Sequence, residues 1–135
     1  MVWIMKFKKI LFKENDDFKT KSEAISTISD LNDLKEIAKN DSDYRIRLKA
    51  VGRIDDDEFL RDIVDSDSNR KVRILAVENI KSQDYLEKIA RNHSDCHVRI
   101  SAIKRIRDKS VLEGISRNDS NRHVRKIASE ILKSC

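Results

Sequence analysis

The sequence predicts an all-α fold, a stack of five helix-turn-helix units, and three observations carry that prediction. The first is a register of 26 residues: Val72-Arg73 returns as Val98-Arg99 and Val124-Arg125, and in the other direction as Ile46-Arg47 and the weaker Thr20-Lys21. Four residues after each first member stands Ala24, Ala50, Ala76, Ala102 or Ala128, with no insertion between copies. The second is punctuation, because the chain has no proline and only two glycines, which leaves few signals for strands and hairpins. The third is helical spacing of apolar residues within each copy. A fixed period of this kind marks stacked units, none of which can bury its apolar face alone. The unit boundaries fall at about 3–28, 29–54, 55–80, 81–106 and 107–135, within a single domain of 135 residues.

Charged residues make up 39% of the chain and hydrophobic ones also 39%. The two charge signs are interleaved and the apolar residues recur regularly, which argues for a folded chain over a disordered one. The net charge of +5 permits nucleic acid or an acidic protein surface as partner without demanding either. Cys96 and Cys135 lie far apart, so neither a disulfide framework nor paired zinc ligands follow. Reduced thiols suit a cytoplasmic location. No apolar run approaches the roughly 18–20 residues of a membrane span. Lysines at 6, 8 and 9 interrupt the apolar start and no small-residue cleavage site follows, which argues against a signal peptide.

In chain order, Trp3, Ile4, Phe7, Ile10 and Leu11 take helical spacing. Two readings compete here, a basic amphipathic helix for a membrane or partner and the first helix of the stack, capping its end. The register favours the cap, since Phe7 and Leu11 align with the internal residues Phe59 and Ile63. Its surplus of aromatic surface can serve as a homodimer contact.

Each unit then has a first helix with rows at Leu34, Leu60, Leu86 and Leu112 and, three residues on, Ile37, Ile63, Ile89 and Ile115. This stripe occupies one face and is extended by Ala38, Val64, Ala90 and Ser116. A helix of about 8–10 residues is not stable alone and must pack on neighbours. A polar turn follows, and its third position is Asp17, Asp43, Asn69, Asp95 or Asn121, side chains suited to cap a helix. A calcium loop is excluded, because its twelve-residue spacing and central glycine are missing.

The second helix spans about 44–54 in the second unit and 70–80 in the third. At 100° per residue, Ile46, Ala50 and Ile54 share one arc, with Val51 at its margin. The alanine row lets helices of adjacent units approach to roughly 8–10 Å. Arg47, Arg73, Arg99 and Arg125 fall on the same arc, and a guanidinium there must find acceptors. The carboxylates six residues earlier, Asp41, Asp67 and Asp119, are the available partners. The result is a structural ladder of Asp and Arg along the stack.

Asp67, Val72-Arg73 and Ala76, repeated as Asp41, Ile46-Arg47, Ala50 and as Asp119, Val124-Arg125, Ala128, resemble the HEAT-repeat family over about 7–132. The resemblance implies a right-handed α-solenoid, with first helices on the convex side, second helices lining the concave side, and the Asp and Arg rows bridging units. The short unit without a helix-breaking proline is similar to the HEAT-like repeats of prokaryotic proteins, phycobilin lyases among them. Asn15 and Lys21 in the first unit and His93 in the fourth depart from the pattern. End units drift as caps, but His93 is internal.

Function, on this reading, belongs to the arc of the second helices opposite the core. The row Lys19, Arg45, Lys71, His97, His123 is basic or can become so in every copy, a stripe of about 40 Å at about 10 Å per repeat. Neighbouring rows add Lys49, Lys104, Ile74 and Ile100, together with Glu23, Glu78 and Glu130, which suit a peptide better than a phosphodiester. A merely solvated face is the plain alternative. His93, Cys96 and His97 cluster in sequence, but three soft ligands with His123 about 10 Å away do not define a metal site, and no cofactor is expected. The hydroxylases, DNA glycosylases and lyases of HEAT-like architecture use His-Glu pairs, aromatic pockets or chromophore pockets, none of which is evident. The sequence therefore points to a non-enzymatic interaction module that binds an acidic or amphipathic segment of another protein. Sequence-nonspecific nucleic-acid binding through the basic stripe is the alternative, and an enzyme or lyase-like accessory ranks third.

Overall fold

A computed structural model describes residues 17–134. The N-terminal helix with its aromatic face and the dimer contact expected of it lie outside the described residues, as does Cys135. The described residues are entirely helical, with nine helices and no strand among them. The chain clusters into two compact units, one ending at Ile54 and one beginning at Asp55, the predicted boundary between the second and third copies. None of these helices is long and apolar enough to cross a membrane.

The first unit contains α1 (Phe18–Thr27), α2 (Leu31–Asn40) and α3 (Tyr44–Val51). Helix α3 packs on both of the others. Asp17, Asp30 and Asp43 cap the three helices by accepting hydrogen bonds from backbone N–H groups two or three residues on. Such caps contribute about 1 kcal/mol each to helices too short to persist alone. The interior is formed by Leu34, Ile37 and Ala38 from α2 and by Ile46, Ala50 and Val51 from α3, with Ile25 and Ile28 from the α1 end. Each buried Leu or Ile contributes roughly 1.5–3 kcal/mol.

The second unit contains α4 (Asp57–Ser66), α5 (Arg70–Asn79), α6 (Gln83–Asn92), α7 (Cys96–Ile103), α8 (Lys109–Asn118) and α9 (Arg122–Ser134). Helices pair as α4 with α5, α6 with α7 and α8 with α9, while α7 also packs on α5 and on α9. The leucine and isoleucine rows are buried throughout, and Ala76, Ala102 and Ala128 are fully inaccessible where the second helices meet. Ala24, the first member of that row, is only half-buried.

Two helix ends differ from the reading of the sequence. Helix α3 stops at Val51 instead of running to about 54, and α7 likewise stops at Ile103. In both, a tight turn follows, with Arg53 N–H donating to the Ala50 carbonyl and Arg105 N–H to that of Ala102. The turns are held from the side: Arg53 Nη1 donates to the Ile25 carbonyl, and Arg105 Nη1 donates to the carbonyls of Val77 and Ile80. The arginine adds a donor at the carbonyls of a helix end, where those of Ile25 and Val77 also accept the cap N–H of Ile28 and Ile80. Ile54 and Ile106 remain buried although they lie past the helices.

The ladder also needs a correction. Arg47, Arg73, Arg99 and Arg125 do turn toward the residue six positions earlier, but what they reach is its backbone carbonyl, at 2.7–2.8 Å in every case. The carboxylate of Asp41, Asp67 or Asp119 instead accepts the N–H of residue 43, 69 or 121, at 2.8 Å each, and shapes the turn. A carboxylate partner comes from the following copy. Asp119 accepts two hydrogen bonds from Arg99, both at 3.0 Å, and Asp41 lies 3.5 Å from Lys21 Nζ. The carboxylate thus closes its own turn and draws in the cation of the copy before it.

Candidate partner-binding face

In the second unit, the outward arcs of α5, α7 and α9 border a groove of about 480 Å³. Its apolar lining comes one residue from each helix: Ile74, Ile100 and Ile127. Ile74 and Ile100 belong to a single predicted row, but the third member of that row is Lys126, and α9 supplies the adjacent Ile127 instead. Polar residues stand at the two ends of α7. His97 and, from α9, His123 line the end at which both helices begin, and Lys104 and Arg105 line the other, where Glu78 of α5 joins them. Ser101 is spent internally, its hydroxyl donating to the Val98 carbonyl at 2.8 Å. Lys71 is exposed on α5 and does not line the groove.

The predicted residues of the first unit have a different environment. Lys19 and Lys49 are exposed on α1 and α3. Arg45 is engaged: its Nη2 lies 2.7 Å from Asp43 Oδ2, and its guanidinium stands 4.3 Å above the Phe18 ring, with Lys49 Nζ 5.8 Å from the same ring. The Arg45 hydrogen bonds hold the Asp43 carboxyl below its ordinary value. Arg45 therefore belongs to the local helix cap more than to an open basic stripe.

The structure rearranges the predicted soft-ligand cluster. His93 turns away from Cys96, with Nδ1 accepting from the Asp95 N–H at 3.0 Å and Nε2 lying 3.1 Å from the Val64 carbonyl. Asp95 takes its place, so that donor atoms of Asp95, Cys96 and His97 lie within 4.8 Å of one another. These residues do not fit a cation. Asp95 Oδ1 already accepts from the His97 N–H at 2.9 Å, and Oδ2 accepts from Arg70 Nε at 2.7 Å and from Arg73 Nη2 at 3.0 Å. Burial pushes the Asp95 carboxyl up, but Arg70, the His97 N–H and Arg73 outweigh it and hold it well below the usual carboxylate range. A metal there would have to compete with the guanidinium pair on Oδ2 or with the helix-capping bond on Oδ1.

Cys96 and His97, neighbours in sequence, also meet through their side chains. Cys96 Sγ lies 3.6 Å from His97 Nδ1. That same nitrogen is 3.4 Å from Asp95 Oδ1. A catalytic histidine uses opposite ring nitrogens for its nucleophile and its orienting carboxylate. Here both neighbours share one, so the arrangement is not a triad.

A helical protein with a three-helix groove is the class that fold and site define. No family model, no curated protein and no solved structure matches the chain.

Proposed function

We propose that the chain is a five-unit, HEAT-like right-handed α-solenoid acting as a non-enzymatic interaction module. On this reading, the second helices line its concave face and receive an acidic, amphipathic segment of another protein. The observation that carries the proposal is the groove between α5, α7 and α9, where three isoleucines from three helices lie between a histidine pair and Lys104 with Arg105. Apolar contacts flanked by histidines at one end and by cations at the other suit a helix or extended segment that carries its own apolar residues and carboxylates. Glu78 in the groove and the engagement of Arg45 by Asp43 both work against a phosphodiester backbone, which is attracted by an uninterrupted line of cations.

The test is recovery of partners from the native cell with wild-type protein, Ile100→Asp and a Lys71→Glu/His97→Glu variant, each verified as helical and folded. Both variants should lose the partner that wild type recovers. Equal recovery by all three proteins would sink the assignment to this face, and recovery of nucleic acid that falls steeply with added salt would replace it with the alternative.

A further inference from the structure

The corner where α5 passes into α6 and the corresponding corner one copy later, where α7 passes into α8, share one backbone-to-side-chain hydrogen bond but differ in charge. In the earlier corner, Asp57 Oδ1 accepts from the Lys81 N–H at 3.0 Å and Oδ2 from the Ser82 N–H at 2.7 Å, while Asp55 Oδ2 takes the Lys81 ammonium at 2.9 Å. Two carboxylates thus meet one cation and two N–H donors. Advancing by 26 residues turns Asp55 into Lys81, Asp57 into Gln83 and Lys81 into Arg107. The contact is retained, because Gln83 Oε1 accepts from the Arg107 N–H at 3.2 Å as Asp57 accepts from Lys81. Gln83 Nε2 also donates to the Arg105 carbonyl at 3.0 Å, so the amide grips the turn from both sides.

The later corner therefore keeps that contact and carries a lysine and a neutral amide where the earlier one carries two acids. Beside it lies a cavity of about 420 Å³ lined by Lys81, Gln83, Lys104, Arg105, Ile106 and Arg107. No carboxylate is among its lining residues, and four of the six are cations, of which Lys81 is already paired with Asp55 at 2.9 Å. The side chains of Lys104 and Arg107 make no hydrogen bond or ion pair among the described residues. Arg105 is already fixed through Nη1 by the carbonyls of Val77 and Ile80. Like charges gathered on a fixed turn repel one another, and an anion between them removes that repulsion.

We infer that this corner is a binding site for a phosphate monoester, held by Lys104 and Arg107 beside Arg105, with Lys81, already paired to Asp55, at its edge. A dianion restores the two negative charges that Asp55 and Asp57 supply in the earlier corner. The planar arginine forks match the tetrahedral oxygens, and the lysines add point charges. Cavity volume leaves room for the group that carries the phosphate. Inorganic phosphate alone must bind, whatever happens in the isoleucine groove.

The experiment follows the melting midpoint and titration heat of the full chain with inorganic phosphate and with sodium chloride at matched ionic strength. Wild type should show saturable one-to-one phosphate binding and a rise in midpoint that chloride does not produce. Lys104→Gln/Arg107→Gln should weaken that binding at least tenfold, whereas Lys88→Gln/Arg117→Gln, with the same charge removed elsewhere, should retain it. Arg107→Asp should raise the midpoint without phosphate and abolish the phosphate effect, because its carboxylate then faces Lys81 as Asp55 does in the earlier corner. Equal effects of phosphate and chloride, or equal losses in the two double variants, would overturn the site. Parallel titrations with glycerol phosphate and with a phosphoserine peptide separate a free ligand from a modified partner. Duplex DNA binding that is insensitive to Lys104→Gln/Arg107→Gln and stronger than both would overturn it in favour of diffuse polyanion attraction.

Discussion

His93 and Asp95 reproduce with an imidazole the turn that other copies close with a carboxylate. The Asp95 N–H donates to His93 Nδ1 at 3.0 Å, whereas at Asp41, Asp67 and Asp119 the equivalent N–H donates to a carboxylate oxygen at 2.8 Å. The accepting Nδ1 carries no proton, which places the ring proton on Nε2, 3.1 Å from the Val64 carbonyl. Shape is preserved, and charge is not. Arg99 finds a two-pronged carboxylate in Asp119, but Arg73, for which the residue at that position of the next copy is His93, turns its Nη2 to Asp95 and keeps a buried Nε without a hydrogen bond.

Replacing His93 with Asp should therefore stabilise the chain. The new carboxylate keeps the turn and offers Arg73 the paired acceptor that Arg99 enjoys, a gain of about 1 kcal/mol after the lost Val64 contact is subtracted. Urea unfolding measures it. A lower midpoint would show that the imidazole is worth more than the ion pair.

Asp95 sets an acid limit on stability. Its carboxyl is held below its ordinary value, so the folded state binds its proton less readily than the unfolded chain does. The stabilisation is complete above the unfolded carboxylate value of about 4 and fades as the pH falls below it. Asp95→Asn keeps a capping oxygen, as Asn69 shows, and removes the charge that Arg70 and Arg73 use. The variant should lose about 1–3 kcal/mol at neutral pH. Its acid unfolding curve should also be shallower than that of wild type, and parallel curves would remove Asp95 from the account.

Ala76→Leu tests the approach of the second helices. Ala76 is fully buried, and three further carbons there would force the helices apart at a cost of about 1–3 kcal/mol. An unchanged thermal midpoint would contradict the packing.

Gly114 offers the reverse change. It lies within α8, and a Cβ built on it meets nothing within 4 Å. Gly114→Ala should stabilise by roughly 0.5–1 kcal/mol, because alanine loses less backbone freedom on entering a helix. Chemical denaturation with an unchanged slope would confirm that only stability has moved.

Much of the helical framework was legible because stacking imposes the same demand in every copy. Ala76 and Val72 recur, and both are inaccessible; Asp43 and Asn69 recur at one turn position, and both cap helices. The ladder was half legible, since spacing within a copy identified the arginines but not that their carboxylates come from the next copy. The groove was read in part through Ile74 and Ile100. Ile127 escaped because α9 meets the groove one position away from the row that Lys126 continues. The corner lined by Lys81 and Arg107 was invisible to any reading of one helix face, since it joins the turns of successive copies.

The two stitched turns reveal a longer rhythm. Arg53 and Arg105 end second helices by the same device, while Thr27 and Asn79 stand at the intervening positions. Asp43 and Asp95 cap α3 and α7, and the sequence Asp-Ser-Asn-Arg occurs at 67–70 and again at 119–122. Even and odd copies are thus distinct, and the chain has a period of about 52 residues superimposed on the shorter one. From the second copy onward, the structural module is a doublet. Excising one copy would bring like neighbours together and strand an arginine stitch without its usual acceptor, whereas excising a doublet would leave every junction of a kind the chain already contains.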